Sequence, residues 1–178
     1  MCWVENSQKI KCYMKMAEEI SNLSPDEETQ VGALLISSEG RIVASSFNGF
    51  LRGAPDDELP TTRPEKYQYM QHAERNLLYN CGYEGIKTKD TTIVCTLSPC
   101  LECLRASFAS GVKTIIFKDL YYKFDNIDFY KKLPDVHVKV DAIAGYAVLN
   151  MKSMKDFRSN GESTRFLAMQ EMVEGYDD

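Results

Sequence analysis

Two short β-favouring runs, residues 92–96 and 114–117, bracket a stretch that opens on Ser98-Pro99-Cys100 and ends by Gly111. The intervening residues suit a helix, and a strand, a helix and a second strand joined by short returns form a βαβ crossover. The two strands are therefore predicted to be parallel. That unit commits the chain to an α/β sheet covered by helices, with ligands gathering at the carboxyl ends of the strands.

The flanking segments extend the same architecture. Ile10, Tyr13, Met14, Ala17 and Ile20 recur at helical spacing, predicting an amphipathic helix over 7–22 that Ser24-Pro25-Asp26 closes. Residues 31–36 and 42–47 are apolar runs around Ser38-Glu39-Gly40, the pattern of an antiparallel hairpin. A polar loop over 48–66 follows, with Pro55, Pro60 and Pro64; at this length, and directly before His72, it reads as a functional loop. The helix carrying Glu74, Leu77 and Leu78 is expected to stop near Gly82. Beyond Lys118 the spacing predicts a helix over 124–132, a strand over 136–140, and helices over 142–157 and 162–173 separated by Asn160-Gly161. The last five residues read as a frayed acidic tail. Residues 1–141 are thus expected to form the main domain and 142–178 a helical extension packed on it.

Chain length and a 44% hydrophobic content suit one well-cored domain. The net charge of −5 argues against a broad nucleic-acid surface, which needs clustered Lys and Arg, but leaves room for a small anion in a local cationic pocket near Arg52, Arg63, Lys66 and Arg75. No stretch reaches membrane-span length and the first residues lack a leader pattern, so the expectation is a cytoplasmic protein.

In such a compartment a Cys-x-x-Cys pair points to metal or redox chemistry rather than a disulfide framework. Cys100 and Cys103 stand at i and i+3, placing both sulfurs on one face of a first helical turn, with Pro99 at the first helical position and the helix N-terminus favouring thiolate. His72 and Glu74 are two apart, which on a regular helix separates them, so they are placed at the mouth of a helix. One His and two Cys leave a zinc ion a fourth position for water, the arrangement of a catalytic site. Glu74 would take and pass on protons while that water attacks an amidine-like carbon and ammonia leaves. Two plainer readings stand beside this one: a redox pair that needs neither His72 nor Glu74, and a closed structural zinc site with Cys95 or Cys81 as fourth ligand. Outside that last alternative, Cys2, Cys12, Cys81 and Cys95 lack ligand spacing and read as ordinary thiols, and His137 as an ordinary histidine.

His-x-Glu followed by Pro-Cys-x-x-Cys is the signature of zinc nucleobase deaminases, and the chain more closely resembles the deoxycytidylate deaminases. The residues that carry the resemblance are Thr29-Gln30-Val31-Gly32-Ala33, Phe47-Asn48-Gly49-Phe50, Gly53-Ala54-Pro55-Asp56-Asp57, Leu59-Pro60, Lys66-Tyr67, His72-Ala73-Glu74, and Thr96-Leu97-Ser98-Pro99-Cys100 with Cys103. The resemblance covers about residues 7–120. It implies hydrolysis of dCMP to dUMP for thymidylate synthesis, on a three-layer α-β-α cytidine-deaminase-like fold with a central five-stranded mixed sheet. By similarity His72, Cys100 and Cys103 bind one catalytic Zn2+ and Glu74 shuttles protons. Asn48 would bind the sugar hydroxyl, the Ala73 backbone the pyrimidine carbonyl and the Ser98 carbonyl the amino group, with Pro99 beside it. The family pattern also implies a homohexamer activated by dCTP and inhibited by dTTP, with Mg2+ accompanying a triphosphate effector. Gly49, Arg52, Gly53 and Lys66 are the candidate effector or phosphate contacts, and Leu51 stands where that loop has a proline. Other readings are deamination of dCTP or cytidine, a tRNA adenosine deaminase, which the negative charge disfavours, and a zinc-stabilised nucleotide sensor without turnover.

Overall fold

The computed structural model describes residues 6–119, 136–141 and 146–151. The first element is α1 (Ser7–Ser21), started by Asn6, whose side chain accepts from Lys9 N–H. It is followed by β1 (Gly32–Ile36), β2 (Ile42–Phe47), α2 (Ala73–Glu84), β3 (Thr92–Leu97), α3 (Leu101–Ala109), β4 (Thr114–Asp119), β5 (Val136–Asp141) and β6 (Tyr146–Met151). The strands form one mixed sheet in the order β2-β1-β3-β4-β6-β5. The hairpin β1/β2 is antiparallel, as is β1/β3, and β3/β4 is parallel in the register the crossover demands, Ile93 opposite Ile115 and Cys95 opposite Phe117.

Side-chain alternation builds the layers. Leu34, Ile36, Val94 and Ile116 pack against Ile10, Met14 and Ala17 of α1. Their neighbours Ala33, Leu35, Ile93, Cys95, Ile115 and Phe117 face the other way, onto Ala73, Leu77, Leu78 and Cys81 of α2 and Leu104 of α3. Strands covered on both faces read as continuous apolar runs, and every residue of β1 is buried. The edge strand β2 has half of its residues exposed.

Four particulars differ from the sequence reading. The sheet has six strands rather than five: four, β2-β1-β3-β4, carry the packed core, and the β5/β6 hairpin extends it through antiparallel pairing of β6 with β4. Residues 146–151, expected to be helical, are therefore a strand. A strand edge offers unpaired N–H and C=O groups, and pairing with it overrides a weak local period. Next, α2 runs through Gly82 and stops at Gly85, whose φ of +68° is the left-handed cap that glycine accepts most easily. Finally, α3 begins after Cys100, so Pro99 precedes the capping residue instead of opening the helix. The helices expected over 124–132 and 162–173, the Asn160-Gly161 break and the acidic tail lie outside the described residues.

Candidate active site

The site lies at the sheet edge where β2, β3 and β4 end and β1 begins, since Gly32 pairs with Phe47 and Leu97 with Asp119. Two helix N-termini converge there. His72 is the extended capping residue of α2 (φ −66°, ψ 150°), and its imidazole does not cap the helix. Glu74 is the second helical residue, 3% exposed. The predicted placement at a helix mouth therefore holds: the backbone bends between the two side chains. Cys100 caps α3, its sulfur accepting from Cys103 N–H at 3.5 Å, and Cys103 is fully buried one turn in.

His72 Nδ1 lies 3.5 Å from Cys103 Sγ, and the three donor atoms of His72, Cys100 and Cys103 all fall within 4.8 Å of one another. Tetrahedral zinc with bonds of about 2.3 Å to sulfur and about 2.0 Å to nitrogen separates such donors by about 3.5 Å, so the donor set fits the ion. Among the described residues no fourth His, Cys, Asp or Glu joins the group. Cys81 points from α2 into the core, and Cys95 Sγ lies 3.0 Å from the Leu97 carbonyl. The closed four-ligand reading therefore finds no ligand in either cysteine.

The electrostatics suit a metal. Without an ion, the hydrogen bond from Cys103 is the chief reason the Cys100 thiol is depressed to about 3, with the His72 imidazole adding to it. Cys103 is pushed upward by the same bond and by burial. His72 is raised, first by its hydrogen bond to Cys100 and then by the Glu74 charge, against the effect of burial. Burial raises Glu74 to about 7, and the His72 charge only partly opposes it. A carboxyl near 7 exchanges protons efficiently at neutral pH.

A pocket opens over this cluster, lined by His72, Ala73, Glu74, Arg75, Leu97, Ser98 and Cys100 at one end. Asp26, Thr29, Val31, Asn48, Arg63, Lys66, Tyr67 and Met70 line the rest. The structure thus brings together His72, Glu74, Cys100, Cys103, Ala73, Asn48, Ser98 and Lys66. Pro99 adjoins Cys100 in the chain without lining the pocket. Gly49 is bridged to Gln71 by hydrogen bonds of 3.1 and 2.7 Å. Arg52 and Gly53 do not line the pocket: Arg52 binds Asn80 at 2.9 Å, pairs with Glu84 at 3.7 Å and lies over the Tyr83 ring on the outer side of α2. Gly53 (φ +79°) has open space around it, and Leu51 is 64% exposed.

Sequence reasoning missed Asp26 and Glu28. Lys66, only 2% exposed, pairs with Asp26 at 2.6 Å and with Glu28 at 2.9 Å. The Lys66 ammonium holds the Glu28 carboxyl below its usual range. In sequence Asp26 reads only as part of a turn; nothing local announces a partner 40 residues away.

A family model described as the cytidine and deoxycytidylate deaminase zinc-binding region matches residues 7–119, the span that contains every pocket residue. The chain belongs to this deaminase family. Among curated deaminases, the deoxycytidylate deaminase of Pongo abelii is 33% identical over 131 residues, 70% of this chain and 72% of that protein. The human deoxycytidylate deaminase is 34% identical over 64% of this chain and 66% of its own length. Of solved deaminase structures, the dCMP deaminase of cyanophage S-TIM5 in complex with dCMP and dUMP superposes with a TM-score of 0.58 at 29% identity. That match covers 69% of this chain and 90% of the other.

Proposed function

We propose that this chain hydrolyses dCMP to dUMP and ammonia, with zinc held by His72, Cys100 and Cys103. The observation that carries the reading is a fully buried carboxyl, Glu74, raised to about 7 beside a three-donor metal group that leaves one position open. The solved relative that contains dCMP and dUMP supports the same substrate.

Zinc bound there would supply a water activated near neutral pH. Glu74 takes a proton from the attacking water and delivers it to the ring nitrogen beside C4. A second proton, carried by the same carboxylate, goes to the departing amine. The C4–N bond breaks, a C4 carbonyl forms and ammonia leaves. The Ala73 backbone N–H donates to the pyrimidine carbonyl, and the Ser98 carbonyl accepts from the amino group until it departs. Both residues line the pocket, Ala73 between His72 and Glu74 and Ser98 two positions before Cys100.

The reading extends to control by dCTP and dTTP, with Mg2+ beside a triphosphate, and to a homohexamer in the cytoplasm; the family resemblance supports these points. Arg52, committed to Asn80, Glu84 and Tyr83, would have to exchange those partners to meet an effector phosphate.

The test is ammonia release by zinc-loaded protein from dCMP, deoxycytidine, cytidine and dCTP, with dCTP or dTTP added where it is not the substrate, and subunit number from light scattering. Preference for dCMP is expected. In Glu74→Gln, one zinc per chain is retained and turnover drops by about 10²–10⁴-fold; near-normal turnover in that variant would sink the mechanism. Zinc content without ammonia from any substrate would instead identify a nucleotide sensor.

A further inference from the structure

Arg75 follows Glu74 in α2 and lines the pocket at its metal end. Its side chain is only 23% exposed. Nη1 reaches from α2 to α3 and donates to Glu102 Oε2 at 2.7 Å. Glu102 stands between Cys100 and Cys103 in the chain and is itself 70% exposed, so this pair accounts for the outer end of the guanidinium alone. Nε is buried and has no hydrogen-bond partner among the described residues. Buried donors are rarely left unpaired in native structures, and one beside a site calls for a physical reason.

Charge supplies that reason. Burial works against the Arg75 cation, yet the Cys103 and Cys100 thiolates, followed by Glu102, hold it more firmly ionised than usual. In return Arg75 opposes the upward push on the Cys103 thiol. Zn2+ cancels two thiolates, and a ligating imidazole is neutral, so an ionised Glu74 is left as the uncompensated charge at this end. The other cations lining the pocket are engaged elsewhere: Lys66 with Asp26 and Glu28, Arg63 with Tyr67 and Thr29. Arg75 is the cation beside the sulfurs. Thiolates also give more charge to a metal than imidazoles do, and neighbours of the ligands tune how much.

We infer that Arg75 is a positioning residue: anchored by Glu102, its guanidinium draws charge from the two thiolates, so that a metal held by two sulfurs keeps its Lewis acidity. The inference rests on the zinc reading of the site.

The test replaces zinc by Co2+, which takes the same donors, in the unaltered chain, Arg75→Gln and Arg75→Lys. A cation beside sulfur lowers the energy of its lone pairs. The sulfur-to-cobalt charge-transfer band is therefore expected to move to longer wavelength in Arg75→Gln and to move less in Arg75→Lys, which keeps the charge. With zinc, Arg75→Gln is expected to retain one ion per chain, lose about 10–100-fold in kcat and change little in KM for dCMP; Arg75→Lys recovers part of that loss. An unmoved band in Arg75→Gln would overturn the inference whatever happens to turnover, because a merely structural role leaves the sulfurs as they are. A moved band with unchanged kcat would overturn it as well. Should Arg75→Gln fail to fold, Arg75→Met, which keeps the apolar stem without a polar end to bury, decides by the same band. No sulfur-to-cobalt band in the unaltered chain would overturn the metal reading and this inference together. A band without ammonia from dCMP would overturn the substrate reading alone, and the band shift would still decide whether Arg75 tunes the thiolates.

Discussion

Glu74 shows how one position can be costly for the fold and useful for chemistry. Its carboxyl is buried beneath the pocket and raised from 4.5 to about 7. An acid whose folded pKa lies above its unfolded pKa keeps more protons in the native state between the two values, so stability falls as pH rises through that window. In metal-free protein this contribution is fully present below about pH 4.5 and lost by about pH 7, amounting to about 3 kcal/mol. Urea denaturation of metal-free protein at pH 5 and pH 8, compared with the same pair for Glu74→Gln, isolates the effect. The wild type is expected to lose stability relative to the variant on going to pH 8, and parallel behaviour of the two would refute the burial argument. The residue types of this site are legible in sequence because zinc chemistry restricts them: an imidazole, two thiols at i and i+3, and a carboxylate beside the imidazole. The carboxylate's raised pKa is not, because it comes from neighbours in space.

At the scale of elements, two glycines separate space from conformation. Gly32 opens β1 where α1 crosses it, and a Cβ there would lie 1.9 Å from the Ala17 carbonyl oxygen and 2.8 Å from Ser21 N, both backbone atoms that cannot swing aside. Gly32→Ala is expected to push α1 off the sheet and cost at least about 2 kcal/mol. Gly85 has open space around it but a φ of +68°. Gly85→Ala is expected to cost only about 1 kcal/mol, from strain in the left-handed cap. Denaturation midpoints of the two variants, at unchanged m-value, give the comparison; equal losses would contradict the packing argument for Gly32. Element type was readable for α1 to α3 and β1 to β4, where apolar spacing is strong, and for β5 from its alternation of apolar and polar residues. The ends of α2 and α3 were less so: Gly82 and Pro99 are plausible boundary residues, and backbone geometry at Gly85 and Cys100 decides between neighbours that sequence cannot rank. β6 escaped because its strand character comes from its partner β4.

For the whole molecule, zinc would join α2 to α3 through ligands 28 positions or more apart in the chain, so binding and folding are linked. An ion that binds only the native state at a hundredfold excess over its Kd adds about 2.7 kcal/mol. For a domain of this size that corresponds to a Tm change of about 5–10 °C. Chelation is expected to lower Tm by about that much and to abolish ammonia release. Added Zn2+ should restore both and Mg2+ neither; a Tm indifferent to chelator would show that the site does not hold a structural share of the fold. Among the described residues no helix is long and apolar enough to cross a membrane.

Sequence alone determined the reaction chemistry and the central crossover of this protein, because metal-ligand spacing and a βαβ unit are local patterns that few structures satisfy. Tertiary structure decided what surrounds them. Lys66, placed in a polar loop by sequence, is a buried charge because Asp26 and Glu28, about 40 positions away in the chain, come within ion-pair distance of it. Arg52, a cation close in sequence to the site, is turned onto the outside of α2 by Asn80, Glu84 and Tyr83. Burial and ion pairing are properties of neighbours distant along the chain, and only the packed fold makes them neighbours.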